Sequence, residues 1–349
     1  MLTLMNKGKE VLTFEYTNNL IDKVTVINKD LLPEMLKSPN AVTLNEWLTA
    51  RSVDLSRPTA RLLLTILNVD LNTLSSTLYN RAANLTDTFW IKNHKGELYS
   101  NFCLYRTQNN TSIQEVILNG TPNKVPQGIN TELTNIGSLT KIWYKTNNKW
   151  FLLKRASTHE IYAELFTYHL GVSLGMNIVK YFIKDNMIAS PNFTNESKNL
   201  EHYFSFKYKF KDKSIEDTVI AENMKSVNLF EKYTDILLLD GIVCNPDRHE
   251  FNFGVLKNPS TGSIIDLAPN FDNNLSLGVN SSLSTYLLRQ YLKDFGVLPH
   301  QKKYINKLSK GLLASIDTRV KKEMKAPTLN TSNIESYFLQ VLNILNITK

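Results

Sequence analysis

Asp247, His249, Asn252 and Asp272 lie within one short stretch of a 349-residue chain, and their types suit chemistry at a phosphate group. An Asp and an Asn bring hard oxygen atoms; placed at one point they form part of a Mg²⁺ site whose remaining oxygens nucleotide phosphates would supply. A further aspartate, free of metal, accepts a hydroxyl proton and orients the attacking oxygen. Phosphoryl transfer asks the protein for positioning and charge neutralisation, and for little covalent chemistry.

Whether these side chains meet depends on the elements that carry them. Phe230 to Leu239 is apolar at helical spacing (Phe230, Tyr233, Leu237) with Gly241 just past it, which predicts a buried helix ending there. The stretch from Asn245 to Asn252 is polar and contains Pro246, so it reads as a turn. Two strands follow, Phe253 to Leu256 and Ser263 to Leu267, joined through Asn258-Pro259-Ser260-Thr261-Gly262. Asn252 just before the first strand and Asp272 just after the second arrive at the same end of that hairpin, and Asp247 enters on the loop that feeds it. A polar surface hairpin is the plainer reading of Asp-x-His-x-x-Asn; the Asp272 that follows favours the metal site.

The wording Asp247-Arg248-His249-Glu250-Phe251-Asn252-Phe253, followed by Ala268-Pro269-Asn270-Phe271-Asp272, resembles the catalytic segment of HipA-like kinases. That family includes toxins of bacterial toxin–antitoxin systems and a secreted Helicobacter kinase. The resemblance implies an α+β, two-lobed protein-kinase-like fold of the HipA/phosphoinositide-kinase type, with an N-terminal α/β accessory module. It implies a serine/threonine protein kinase using ATP and Mg²⁺, with Asp247 as base, His249 bracing the loop, and Asn252 and Asp272 as metal ligands. Asp-Arg-His-x-x-Asn is also similar to the phosphoinositide-kinase loop, so a lipid kinase is one alternative. A catalytically silent nucleotide-binding regulator is the other.

Upstream, Asn135-Ile-Gly-Ser-Leu-Thr-Lys141 precedes two strands, Ile142 to Lys145 and Trp150 to Lys154, around Asn147-Asn148. A loop with free N–H groups ahead of a β-hairpin is the form of a phosphate cover, although only Gly137 remains of the usual glycines. HipA-like kinases have a similar Gly-x-x-x-Lys loop, which makes Gly137, Ser138 and Lys141 nucleotide-binding candidates. In that family a serine three residues before the glycine is autophosphorylated and the loop is ejected. Thr134 takes the matching position, with Ser138 and Thr140 as neighbouring candidates.

Lys154 ends an apolar strand and would reach the α- and β-phosphates. Ser157-Thr-His-Glu160 is a capping box opening a helix with Ile161, Leu165, Tyr168 and Val172 on one face. Glu164 beside that stripe is the expected ion-pair partner of Lys154; Glu160 in that role, or Glu164 as plain surface, are the alternatives. Val179 to Ile183 and Met187 to Ser190 read as strands, with Ile188 and Ala189 offering backbone groups to adenine.

These readings divide the chain into an accessory module (1–122), a small lobe (123–195) and a helical large lobe with the catalytic loop (196–349). In the first, Val11 to Tyr16 and Ile21 to Val26 form a hairpin, Thr43 to Asn68 two helices broken near Pro58, and Thr43-Leu-Asn-Glu46 a capping box. Asn84 to Ile91 resembles a Thr-Asp-x-Tyr/Phe-Trp stretch of Gram-positive HipA-related proteins, and Phe89 and Trp90 are expected to anchor a small core. Arg51, Arg57 and Arg61 read as a solvated face rather than a nucleic-acid contact. Further on, Tyr203 to Phe210 alternates like a strand, residues 211–225 are polar and loop-like, and the Ser281-Ser282-Leu283-Ser284-Thr285 cluster sits where a kinase keeps its activation segment. Residues 302–349 look largely helical, with Phe338, Val341, Leu342 and Leu345 on one face.

A net charge of +8 and a pI near 9.2 fit an acidic partner such as ATP, although a general lysine excess explains them equally well. Cys103 and Cys244 stand in apolar surroundings as expected of free thiols in a reducing compartment. No apolar run approaches a membrane span, so the expected location is the cytoplasm, with a secreted effector as the alternative. The family implies a protein substrate, such as a translation component, and an antitoxin partner through which nucleic acid would be reached only indirectly.

Overall fold

The computed structural model describes residues 1–121, 128–134 and 137–346. In chain order its strands are β1 (Leu2–Asn6), β2 (Lys9–Thr17), β3 (Leu20–Val26), β4 (Phe89–Lys92), β5 (Lys141–Thr146), β6 (Lys149–Lys154), β7 (Phe182–Lys184), β8 (Met187–Pro191), β9 (Asn199–His202), β10 (Gly254–Lys257) and β11 (Ile264–Leu267). The helices are α1 (Ala41–Thr49), α2 (Pro58–Ile66), α3 (Thr73–Tyr79), α4 (Tyr99–Phe102), α5 (Thr111–Asn119), α6 (Thr158–Leu174) and α7 (Tyr203–Phe206). They continue as α8 (Asp217–Lys225), α9 (Phe230–Val243), α10 (Tyr286–Phe295), α11 (Lys302–Ile305), α12 (Lys310–Glu323) and α13 (Ser332–Ile344).

Two compact units divide the chain: Met1–Arg155 with Pro191–Lys211 and Gly254–Asp266, and Ala156–Ser190 with Asp212–Phe253 and Leu267–Lys349. The accessory segment thus shares a unit with the β5–β6 hairpin. The expected boundary at 122 and 123 lies outside the described residues.

The first unit is built on an antiparallel sheet of order β3-β2-β1-β4. Its predicted hairpin forms as β2 and β3, with Asn18 and Asn19 at φ +52° and +62°, the left-handed pair that suits a two-residue turn. Leu4, Leu12, Phe14, Leu36, Leu44 and Leu48 form one core, and Met5, Leu85, Trp90, Trp143 and Trp150 another. Phe89 and Trp90 anchor these cores as expected. The α1 cap is displaced from the reading: Asn40 is the N-cap, its side chain accepting from the Thr43 N–H while Thr43 Oγ1 accepts from the Asn40 N–H. An amide side chain one turn before Thr43 supplies the acceptor that Thr43 was assigned.

The arginine face also needs correcting. Arg51 is buried, forking onto Asp87 at 2.6 and 2.9 Å with its guanidinium 4.4 Å from the Trp47 ring centre. Arg57 is buried as well, and only Arg61 is exposed. Tyr203 to Phe210 is not a strand: α7 and a 3₁₀ turn over Lys207–Lys209 bury Tyr203 and Phe206. The alternating aromatics pack on several sides of that coil, so their period of two carries no sheet face.

In the second unit α6 begins at the predicted box, Ser157 Oγ accepting from the Glu160 N–H and Glu160 Oε2 from the Ser157 N–H. It ends at Gly175, φ +87°, a left-handed cap that costs glycine little. Helix α9 is buried on nearly every face and runs on through Gly241 to Cys244 at φ +53°. Gly241 is therefore a packing glycine and not a stop. A Cβ there would stand 3.0 Å from the Leu288 Cα, so its bare backbone lets α10 lie against α9. Residues 211–225 are not all loop, since Asp217–Lys225 forms α8 and buries Ile220, Ala221 and Met224 against α9. Phe166 of α6 stacks on Phe338 of α13 with centroids 5.1 Å apart, and Val341 and Leu342 are buried as expected, Leu345 only partly. Both cysteines are buried and form no disulfide.

Candidate active site

The loop after α9 organises itself around short side-chain bonds. Asn245 Oδ1 accepts from the Asp247 N–H at 3.1 Å, and its Nδ2 donates to Asp240 Oδ1 at 3.0 Å. Asn252 Nδ2 donates to the Asp247 carbonyl at 2.7 Å and to Asp247 Oδ2 at 3.2 Å. The amide nitrogen of Asn252 is thereby committed, and its orientation leaves Oδ1 as the hard oxygen to offer a cation. Asp247 keeps a partly exposed carboxylate (38%). His249 Nδ1 accepts from the Phe251 N–H at 3.2 Å, and its Nε2 lies 3.8 Å from Asp247 Oδ2.

Asp272 sits in a segment stitched to the chain around residue 178. The Asn270 N–H donates to the Asn177 carbonyl and the Val179 N–H to the Asn270 carbonyl, both at 2.9 Å. Asp272 itself takes φ +61°, where a residue with a Cβ is strained. Its N–H donates to Tyr181 Oη at 2.9 Å, and the next N–H, of Asn273, donates to Glu164 Oε2 at 3.1 Å. Glu164 is fully buried, which excludes the plain-surface alternative. Glu160 is occupied with its capping box and with Asn274 Nδ2, 3.2 Å from its Oε1.

Arg248 joins the two halves of the site, and the sequence reading gave it no role. Its Nη1 donates to the carbonyls of Asn252 and Phe271, both at 2.7 Å, so one nitrogen ties the backbone at Asn252 to that beside Asp272. Its Nη2 reaches Asn273 Oδ1 at 2.8 Å and Asn270 Oδ1 at 3.2 Å. Asp240 answers the charge, with Nε–Oδ2 at 2.8 Å and Nη2–Oδ1 at 2.9 Å. Burial alone would lower the Arg248 pKa, but Asp240, with Asp272 and Tyr181, pushes it above its usual value, so the guanidinium stays charged. The available signal was Asp240 itself, a carboxylate inside the apolar run Ile236–Val243 that had to find a cation.

Asn252 and Asp272 thus offer one amide oxygen and one carboxylate, on segments tied through a single guanidinium. Among the described residues no group of three or more His, Cys, Asp or Glu side chains could hold a metal alone.

The nucleotide candidates divide between the units. In the first, Lys141 and Lys154 are both buried and directly opposed in the β5–β6 register. Gly137 has φ +93°, and Lys141 Nζ lies 2.9 Å from where a Cβ on it would stand, so the lysine folds over its own loop. Asn135 and Ile136 of that loop lie outside the described residues. Ser138 is exposed and Thr140 half-buried, whereas Thr134 is buried with its hydroxyl donating to the Thr131 carbonyl at 2.6 Å. In the second unit Ile188 and Ala189 are buried in β8, opposite Ile183 and Phe182 of β7.

No protein-family model matches this chain, and no curated protein matches its sequence. Among solved structures, the HipA toxin of Shewanella oneidensis MR-1, determined with HipB and its operator DNA, matches with a TM-score of 0.60. Identity is 13%, over 99% of this chain and 96% of that one, a likeness of fold. The Helicobacter pylori proinflammatory kinase CtkA matches at 16% identity over 59% of this chain and 92% of that one; its TM-score of 0.39 adds nothing to the fold assignment. The chain has a HipA-like α+β fold, as the motif implied. No helix among the described residues is long and apolar enough to cross a membrane.

Proposed function

We propose that this chain is a HipA-like kinase that transfers the γ-phosphate of ATP, with Mg²⁺, to a serine or threonine hydroxyl of a protein. The observation that carries this reading is the joining of Asp247, Asn252 and the Asp272 segment through Arg248, on a chain with a HipA-like fold. Asn252 Oδ1 and the Asp272 carboxylate would hold Mg²⁺, which when bound neutralises phosphate charge. Asp247 accepts the proton of the attacking hydroxyl, within reach of its exposed carboxylate and steadied by Asn252 Nδ2. Lys141 and Lys154 steady the phosphates from β5 and β6, Gly137 and Ser138 cover them, and the backbone of Ile188 and Ala189 receives adenine.

Autophosphorylation belongs to the same proposal. Ser138 is the exposed hydroxyl of the three candidates, while Thr134 would first have to leave its bond to Thr131. The HipA neighbour was solved with HipB and DNA, and a partner protein of that antitoxin kind, with DNA reached through it, is proposed here on that analogy. Burial of Arg51 and Arg57 supports indirect rather than direct contact with nucleic acid. A translation component as substrate and a cytoplasmic setting complete the proposal.

The test is incubation with γ-labelled ATP and Mg²⁺, alone and with a bacterial extract, followed by phosphosite mapping. Label on Thr134, Ser138 or Thr140, or on an extract protein, in wild type and not in Asp247→Asn is the expected result. Label entering phosphoinositide and no protein would replace the reading with a lipid kinase. ATP bound without any transfer would replace it with a nucleotide-binding regulator.

A further inference from the structure

Tyr181 is a buried phenol outside the proposed catalytic set, 3% exposed, whose oxygen serves Asp272, a non-glycine residue at φ +61°. The local topology explains why it is there. Ile178 and Asn270 form an isolated parallel bridge, with backbone bonds on either side of Asn270. Two residues further along each segment the ladder has ended, because Asp272 has turned to φ +61°. Its N–H is still in place, and the Tyr181 hydroxyl supplies the acceptor that a strand carbonyl would have given. The neighbouring groups are fixed by others: the Phe271 carbonyl by Arg248 and the Asn273 N–H by Glu164. Asp272 is thus held through both peptide units that flank it, and Tyr181 takes the N–H of the first, whose carbonyl is held by Arg248.

We propose that Tyr181 is a positioning residue for the metal-binding carboxylate: its hydroxyl keeps Asp272 in the left-handed conformation that aims its side chain at the cation. The proposal rests on the reading of Asp272 as a Mg²⁺ ligand. Tyr181→Phe keeps the ring and removes only the hydroxyl, and with it the acceptor of the Asp272 N–H. Without it the Asp272 N–H is stranded and the segment relaxes toward ordinary φ, carrying the carboxylate away from its place.

The experiment is calorimetric binding of a non-hydrolysable ATP analogue to wild type and Tyr181→Phe, in EDTA and across a series of free Mg²⁺ concentrations, and it needs no turnover. In Tyr181→Phe the affinity in EDTA stays at the wild-type value, while the Mg²⁺ concentration giving half-maximal enhancement rises about tenfold, as for loss of a group that orients a metal ligand. An unchanged Mg²⁺ requirement would overturn the positioning role. Wild-type protein that binds the analogue equally with and without Mg²⁺ would instead overturn the assignment of Asp272, and the positioning role with it. Should Tyr181→Phe fail to fold, amide exchange in the wild type decides: the Asp272 N–H is expected to be protected, and free exchange there refutes the bond.

Discussion

Arg248 and Asp240 meet face to face beneath the loop of residues 245–252, two parallel hydrogen bonds of 2.8 and 2.9 Å between side chains that are each 6% exposed. The fork geometry leaves Nη1 pointing away from Asp240, and that nitrogen bonds the Asn252 and Phe271 carbonyls. Asp240 thereby fixes the guanidinium, which fixes both loops. Lysine keeps the charge and loses the fork. Asp240→Asn should cost about 3–5 kcal/mol of stability, the usual penalty for breaking a buried pair from one side, and Arg248→Lys less, since the charge stays. Transfer should fall together with it in both variants. Urea denaturation beside the labelled-phosphate assay checks this, and wild-type transfer in Arg248→Lys would mean that the loops hold themselves.

Asp247 and Asp272 should separate by assay. Asp247→Asn removes the proton acceptor but leaves the loop bond to Asn252 Nδ2 an oxygen to receive it, so transfer should fall by about 10²–10⁴ with nucleotide affinity retained. Asp272→Asn should instead weaken nucleotide binding in Mg²⁺ and leave binding in EDTA unaltered. Equal losses in both media for either variant would contradict these roles.

Gly254 opens β10 two residues after Asn252 and pairs with His202 of β9. A Cβ there would fall 2.3 Å from the Glu201 carbonyl oxygen and 2.7 Å from the His202 Cα, so both colliding atoms are backbone. Gly254→Ala must push the strands apart, at an overpacking cost of about 1–3 kcal/mol. The shift is passed along the chain to Asn252, and the Mg²⁺ requirement for nucleotide binding should rise along with the loss of stability. A fully stable Gly254→Ala protein would show that the strand pair gives way freely.

Much of this arrangement was legible in the residues. The period-two strands around Asn18-Asn19 and Asn147-Asn148, the Ser157–Glu160 box and the polar break at Pro246 are local signals, and each appears where its chemistry places it. Asp247 and Asn252 belong together because the loop between them is short enough for a side chain to bridge. What escaped was long-range. Nothing near Gly241 in sequence announces that the Leu288 backbone will pack on it, and a glycine after an apolar run reads as a stop. Arg51 and Arg57 look like surface charges until Asp87, far along the chain, is seen to face Arg51. Tyr181 gives no sign of its role, since its partner is a backbone N–H 91 residues away. The local elements were readable; the long-range partners Arg248, Gly241 and Tyr181 were not.

Lys257 lies between two buried carboxylates, 3.0 Å from Glu34 Oε1 and 3.0 Å from Glu201 Oε2. Glu201 Oε1 also accepts the Ser205 hydroxyl at 2.6 Å, so the group ties the segment before α1 to β9 and β10, five residues beyond Asn252. Burial would raise the Glu34 pKa, but Lys257 and Lys37 hold it below the ordinary value, a contribution present above about pH 4.3 and lost as pH falls through the folded value. For Lys257 burial acts downward and is outweighed by Glu201 and Glu34, so its pKa is raised; that contribution is present below about pH 10.4 and lost as pH climbs through the folded value. Between these limits the triad should leave wild-type stability level. Lys257→Met leaves Glu201 without its cation and Glu34 with Lys37 alone, and should cost about 3–5 kcal/mol at neutral pH. Acid then relieves the variant, because protonation removes the charges that lack a partner, so its deficit should shrink as pH falls from 7 toward 4. Denaturation curves at several pH values measure that slope, and a deficit independent of pH would show that Lys257 contributes packing and not charge.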